Sequence, residues 1–152
     1  MQTDLNFYHK TNMIIWGAIL SGMVILFGVT FVLDKMEIFA GNLTANPLSQ
    51  VFFIIAIILA FSILFLKRVF FIPEKIVGVN KLSESEALGK LRRNYIMIWS
   101  LGEVICLLGF IDYILTVNFR SFLIYAVVGI YAVGVSMPRK TIAESCASLA
   151  VK

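Results

Sequence analysis

Four long apolar blocks alternate with polar segments along the chain. The first runs from Met13 to Leu33 without a charge, the second from Val51 to Leu66, the third from Tyr95 to Leu115 and the fourth from Ser121 to Met137. A helix needs roughly 20 mostly apolar residues to cross a hydrocarbon core of about 30 Å. The second block is short. It ends at Lys67 and Arg68, whose long side chains can snorkel, so that Val69 to Ile72 lie in the interface. Pro138, Arg139 and Lys140 stop the fourth block. The first is longer than a signal-peptide core and no small-x-small cleavage site follows it, so it reads as a retained helix. The pattern predicts an all-α fold, a bundle of four transmembrane helices at about 13–33, 51–72, 95–115 and 121–137. The whole of 1–152 forms a single membrane domain.

The polar segments give direction and local detail. Lys10 precedes the first span. Lys67, Arg68, Lys75, Lys81, Lys90, Arg92 and Arg93 lie between the second and third. Arg139, Lys140 and Lys152 follow the fourth. Eleven of the thirteen basic residues therefore fall on one side, and only Lys35 and Arg120 on the other. The positive-inside bias predicts both termini and the 73–94 loop in the cytoplasm of a cell with an inner (plasma) membrane. Trp16, Phe70, Tyr95 and Trp99 near one face, and Tyr113 and Phe119 near the other, suit interfacial belts. Within the cytoplasmic loop, Pro73 ends the second helix. Ser83 with Glu86 three residues on reads as a capping box that opens a short helix through Leu88 and Leu91, extending the third span. On the other side, Asp34 to Gln50 is a loop with an Asn46-Pro47 turn signal. Val117 to Arg120 is a tight connection, which makes the third and fourth helices antiparallel neighbours.

Composition agrees with lipid as the solvent: 60% of residues are hydrophobic and 14% charged, against about half and a quarter in soluble domains. The net charge of +4 comes from residues flanking apolar blocks, so it points to the bilayer and not to nucleic acid. Cys106 and Cys146 form no CxxC pair, which leaves no disulfide framework or zinc site. His9 is the single histidine, so one chain cannot hold a haem through two. No phosphate loop, HExxH, nucleophile elbow or pair of acids on one face is present. The expectation is a protein that is not an enzyme and uses no cofactor or metal.

Glu103 is the residue with most chemical content. It stands near the middle of the third block, where an ionised acid costs roughly 2.5–3.5 kcal/mol. It is either a proton- or ion-binding group or a protonated acid bonded to a neighbouring helix, with Tyr125 and Tyr131 of the fourth helix as candidate partners. Asp112 is nine residues on, which at about 100° per residue puts it on the opposite face. It is expected near the outer interface, paired with Arg120. Gly102, Cys106 and Gly109 form a small-residue stripe on the third helix, with Gly129, Ala132 and Ser136 on the fourth. Gly17/Ser21, Ala18/Gly22 and Ala56/Ala60 are further small-xxx-small pairs. All are expected to serve helix packing. Cys106 reads as a small buried hydrophobe and Cys146 as a reduced thiol on a tail. Lys67, Arg68, Arg92 and Arg93 are candidates for holding anionic lipid headgroups.

The segment Gly102 to Phe110 resembles the ion-carrying helix of rotary ATP synthase ring subunits, the proteolipids. There a mid-membrane acid is followed six residues later by glycine, as Glu103 is by Gly109. The resemblance implies a proton or sodium ion carried on Glu103 within a ring of copies. It covers about ten residues, and the glycine-rich first helix of a ring hairpin has no counterpart. The whole chain also resembles uncharacterised bacterial four-span membrane proteins. Small size, little soluble part and many packing stripes lead to one expectation, a structural or accessory subunit of a membrane assembly or a homo-oligomer. The alternative is a proton- or cation-handling protein centred on Glu103.

Overall fold

A computed structural model describes residues 2–37, 47–78 and 82–150. Every regular element in them is helical: α1 (Gln2–Lys35), α2 (Pro47–Phe70), α3 (Pro73–Val77), α4 (Glu84–Thr116), α5 (Phe119–Gly134) and α6 (Lys140–Ala150). By length and composition, α1, α2 and α4 can each cross a membrane, and α5 is a shorter apolar helix. The Asn46 half of the turn signal, and Lys81 and Lys152, lie outside the described residues.

Helix α4 is the axis of the molecule, packed against α5, α2, α1 and α6. Its start follows from its sequence. Glu86 N–H donates to Ser83 Oγ at 3.4 Å while Ser83 N–H donates to Glu86 Oε2 at 2.9 Å, so the capping box closes in both directions. The Ser83 hydroxyl, then its backbone N–H, hold the Glu86 carboxyl below its ordinary range. The helix then continues without interruption to Thr116, 33 residues in all, or about 50 Å.

Two residues, Val117 and Asn118, turn the chain into α5. Val117 takes the left-handed conformation (φ 54°, ψ 27°), which a β-branched side chain rarely adopts. Asn118 caps α5 by accepting from Ser121 N–H. The sequence reading placed the fourth helix at 121–137. The observed helix is shifted towards the N-terminus because Asn118 caps it, accepting from Ser121 N–H, and Ser136 and Met137 close a turn before Pro138.

The α4–α5 contact is a backbone contact. A Cβ built on Gly102 would meet Val133 Cγ2 at 2.6 Å, one on Gly109 would meet Tyr125 Cβ at 2.4 Å, and one on Gly129 would meet the Gly102 carbonyl at 2.6 Å. Glycine at these positions lets the helices touch, which is how association gains energy where no water is expelled. Met23 of α1 reaches the same crossing, its Cε 3.0 Å from the Gly129 position.

The polar segments are not loops alone. The first residues, read from sequence as a tail, continue α1 as helix. Tyr8 and Asn12 on that extension are buried. Residues after Pro138 form α6, whose Ala143, Cys146 and Ala147 are buried against a cluster including Tyr8, Ile76, Leu88, Leu91 and Tyr95. Cys146 is therefore a core residue of a small cap, not a thiol on a tail. Burial, then the nearby Glu74 charge, push its pKa up to about 11.

Candidate functional site

Two acids of α4 define two different environments. Glu103 lies at the margin between Trp99, Cys106 and Phe110, which belong to the cluster shared with α1, and the exposed Val104 and Leu107. It is only partly buried. Among the described residues its carboxyl makes neither a hydrogen bond nor an ion pair. The structure does not bring the two candidate tyrosines to it. Tyr131 is 65% exposed on the surface of α5. Tyr125 is buried over Gly109 and meets Phe53 of α2 edge-on at 6.2 Å.

Asp112 is fully buried, contrary to the solvated interfacial pair expected with Arg120. Arg120 is exposed, and no ion pair joins the two. Instead Ser121 Oγ donates to Asp112 Oδ2 at 2.6 Å. The reason is rotational. The early start of α5 turns Ser121, one residue after Arg120, towards α4, and Arg120 then points outwards. Asp112 Oδ1 and the Tyr125 hydroxyl are buried with no hydrogen-bond partner among the described residues, and Tyr125 lies within electrostatic reach of Asp112. Sequence reasoning did not find this Asp112–Ser121 pair. The signal was there: nine residues separate the two across a two-residue turn, which places them side by side in an antiparallel hairpin.

A second group missed by sequence reasoning closes the end of α5. At 16 residues the helix is about 24 Å long, so its last carbonyls fall among other helices, where an unbonded carbonyl is costly. Three side chains from three helices supply donors. Trp16 Nε1 of α1 donates to the Val133 carbonyl at 3.0 Å, Lys67 Nζ of α2 to Val135 at 2.7 Å, and Trp99 Nε1 of α4 to Ser136 at 3.0 Å. Just beyond, Arg139 N–H donates to Tyr95 Oη at 3.2 Å. The same end holds Arg92, which donates to Asn12 Oδ1 at 3.2 Å and lies 5.1 Å from the Tyr8 ring centre. Arg92 is therefore an internal strut between α4 and α1. Arg68 and Arg93 are exposed.

Between α2, α4 and α5 an apolar cavity of about 210 Å³ is lined by Phe53, Ala56, Ala60, Ile105, Tyr125 and Val128, among others. The Ala56/Ala60 pair leaves this space. No group of three or more His, Cys, Asp or Glu is placed to hold a metal among the described residues. Compared with family models, curated proteins and solved structures, the chain has no match.

Proposed function

We propose that the chain is a multi-pass protein of the inner (plasma) membrane, with α1, α2, α4 and α5 as four spans and both termini cytoplasmic. It acts as a structural or accessory subunit of a membrane assembly or homo-oligomer. One observation carries this reading: Glu103, near mid-span, is part-exposed on a flank of α4 and has no partner among the described residues of its own chain. An ionised acid at that depth costs roughly 2.5–3.5 kcal/mol against lipid, and a polar group on a neighbouring subunit removes the cost. The exposed small residues Ala18, Ser21 and Gly22 on α1 add a surface to which another helix backbone can come close. The orientation rests on the basic residues gathered at one end. Asn12, Lys67, Arg92 and Arg139 all bond at that end of the bundle.

The protein extracted in mild detergent is expected to migrate as a complex on native gels. Glu103→Leu is expected to release the partner, and Glu103→Gln, which still hydrogen-bonds, to keep it. A native protein that migrates as a lone monomer would end this reading. A second reading, proton or cation handling, is favoured by the same placement, since an acid on a lateral flank is open to exchange with a neighbouring subunit. It predicts carbodiimide labelling at Glu103 and a gradient dissipated in liposomes, with Glu103→Gln abolishing both.

A further inference from the structure

At the basic end of the bundle the packing leaves a hollow of about 130 Å³, bounded by Lys67 and Phe71 at the end of α2, Tyr95 of α4, Arg139 in the α5–α6 link and Ile142 of α6. That is room for about four waters. Two cations open onto it and no carboxylate lines it. Arg139 lies within electrostatic reach of Lys67. Glu144 pairs with Lys140 at 3.8 Å, and neither Lys67 nor Arg139 forms an ion pair among the described residues. Lys67 is held by its side chain and Arg139 by its backbone. Lys67 Nζ spends one of its three donors on the Val135 carbonyl, and the Arg139 backbone is fixed by Tyr95 Oη. Two like charges within reach of each other repel, and an anion between them offsets that repulsion. One wall is aromatic: Phe71 and Tyr95 have ring centres 4.5 Å apart, and Tyr95 stacks on Trp99 at 5.4 Å.

We propose that this hollow binds a phosphate oxyanion presented by an anionic phospholipid headgroup, with Lys67 and Arg139 as its cationic partners. A guanidinium fork matches phosphate oxygens in pairs, and the lysine adds a point charge. Lys67 directly follows the uncharged sixteen-residue block 51–66, so the hollow lies where a lipid phosphate sits while its acyl chains run along α2. The site rests on the membrane reading alone and is independent of what Glu103 does.

The test uses the full chain in an uncharged detergent, with phosphatidylglycerol, phosphatidylcholine and inorganic phosphate as separate probes. Binding is read from tryptophan fluorescence and retained lipid by native mass spectrometry. Phosphatidylglycerol is expected to bind and phosphatidylcholine not. Arg139→Gln, whose side chain supports no hydrogen bond of the fold among the described residues, is expected to weaken binding roughly fivefold. Lys67→Gln, which can still donate to Val135, is expected to do the same. Arg120→Gln at the other end is expected to leave it unchanged. Equal binding of the two lipids, or unchanged affinity in Arg139→Gln, overturns the proposal. Competition by millimolar phosphate with the same dependence on Arg139 supports the oxyanion site and makes its source soluble. Protein that washes off vesicles in alkaline carbonate sinks the membrane reading and this site with it. Protein that resists the wash yet shows no preference for phosphatidylglycerol sinks the site alone.

Discussion

Helix α4 has two sides built on opposite rules. The side that meets α5 is closed: Gly102 and Gly109 admit no Cβ, and Asp112 is enclosed with Ser121 as its donor. The margin that bears Glu103 is only half covered, between Trp99 and Phe110 of the α1-facing cluster and the exposed Val104 and Leu107, and its acid is left without a partner among the described residues. On the first side shape is decisive and chemistry follows from it. On the second, packing makes few demands and chemical identity is free to matter. A substitution series along this one helix should therefore separate fold from function.

The largest effect is expected at Gly109. Its Cβ would lie 2.4 Å from the root of the Tyr125 side chain, which cannot move without its backbone. Gly109→Ala should cost about 1–3 kcal/mol, as overpacking does, and Gly109→Leu should prevent the hairpin from closing. Unfolding in mixed detergent micelles measures both. A neutral Gly109→Leu would show that the closed side is not closed.

Next comes the Asp112–Ser121 bond. Ser121→Ala leaves a buried carboxylate oxygen without its donor and should cost about 1–3 kcal/mol. Asp112→Asn, which can still accept from the Ser121 hydroxyl, should cost less. Equal losses would indicate that the charge, and not the hydrogen bond, is what the hairpin holds. Val117→Gly, at the turn of the same hairpin, is expected to stabilise by about 1 kcal/mol, because glycine adopts the left-handed conformation without strain.

In the cap, Cys146 should resist a water-soluble maleimide at pH 8 at least about tenfold more than in the unfolded chain, since the thiolate is the reactive form. Its folded pKa of about 11 lies above the ordinary 9.0. The folded state thus holds the proton more tightly, and stability is retained below pH 9 and lost as pH rises towards 11. Cys146→Ala should flatten that loss in an alkaline unfolding series. The smallest effect is expected for Glu103→Gln, within about 0.5 kcal/mol of native stability. A large loss there would mean that the half-covered margin is structural after all.

Long-period features were legible in the sequence. The apolar blocks that became α1, α2 and α4 announce themselves by length, and the Ser83/Glu86 box marks the start of α4 because capping is decided within four residues. The stripe Gly102, Cys106, Gly109 gave the contact face, since i, i+4, i+7 spacing maps directly onto one side of a helix. What failed depended on rotation. Moving the start of the last apolar helix by two residues exchanges Arg120 for Ser121 as the neighbour of Asp112, and Asn118 and Ser121, caps of similar strength, leave that start undecided locally. The cap helices α3 and α6 were missed because they are short and only moderately apolar. Their stability comes from Tyr8, Leu88, Leu91 and Tyr95, residues distant in sequence.

The brevity of α5 has a consequence for the surrounding lipid. On the four-span reading, a rod of about 24 Å stands in a hydrocarbon layer of about 30 Å. Its indole- and lysine-bonded end draws polar atoms below the headgroup plane. The bilayer must thin beside the hairpin, at a cost of fractions of a kcal/mol per Å of mismatch. Acyl-chain length would then tune how firmly the protein is seated, and the thinner membranes of a cell would retain it at the expense of the thicker ones.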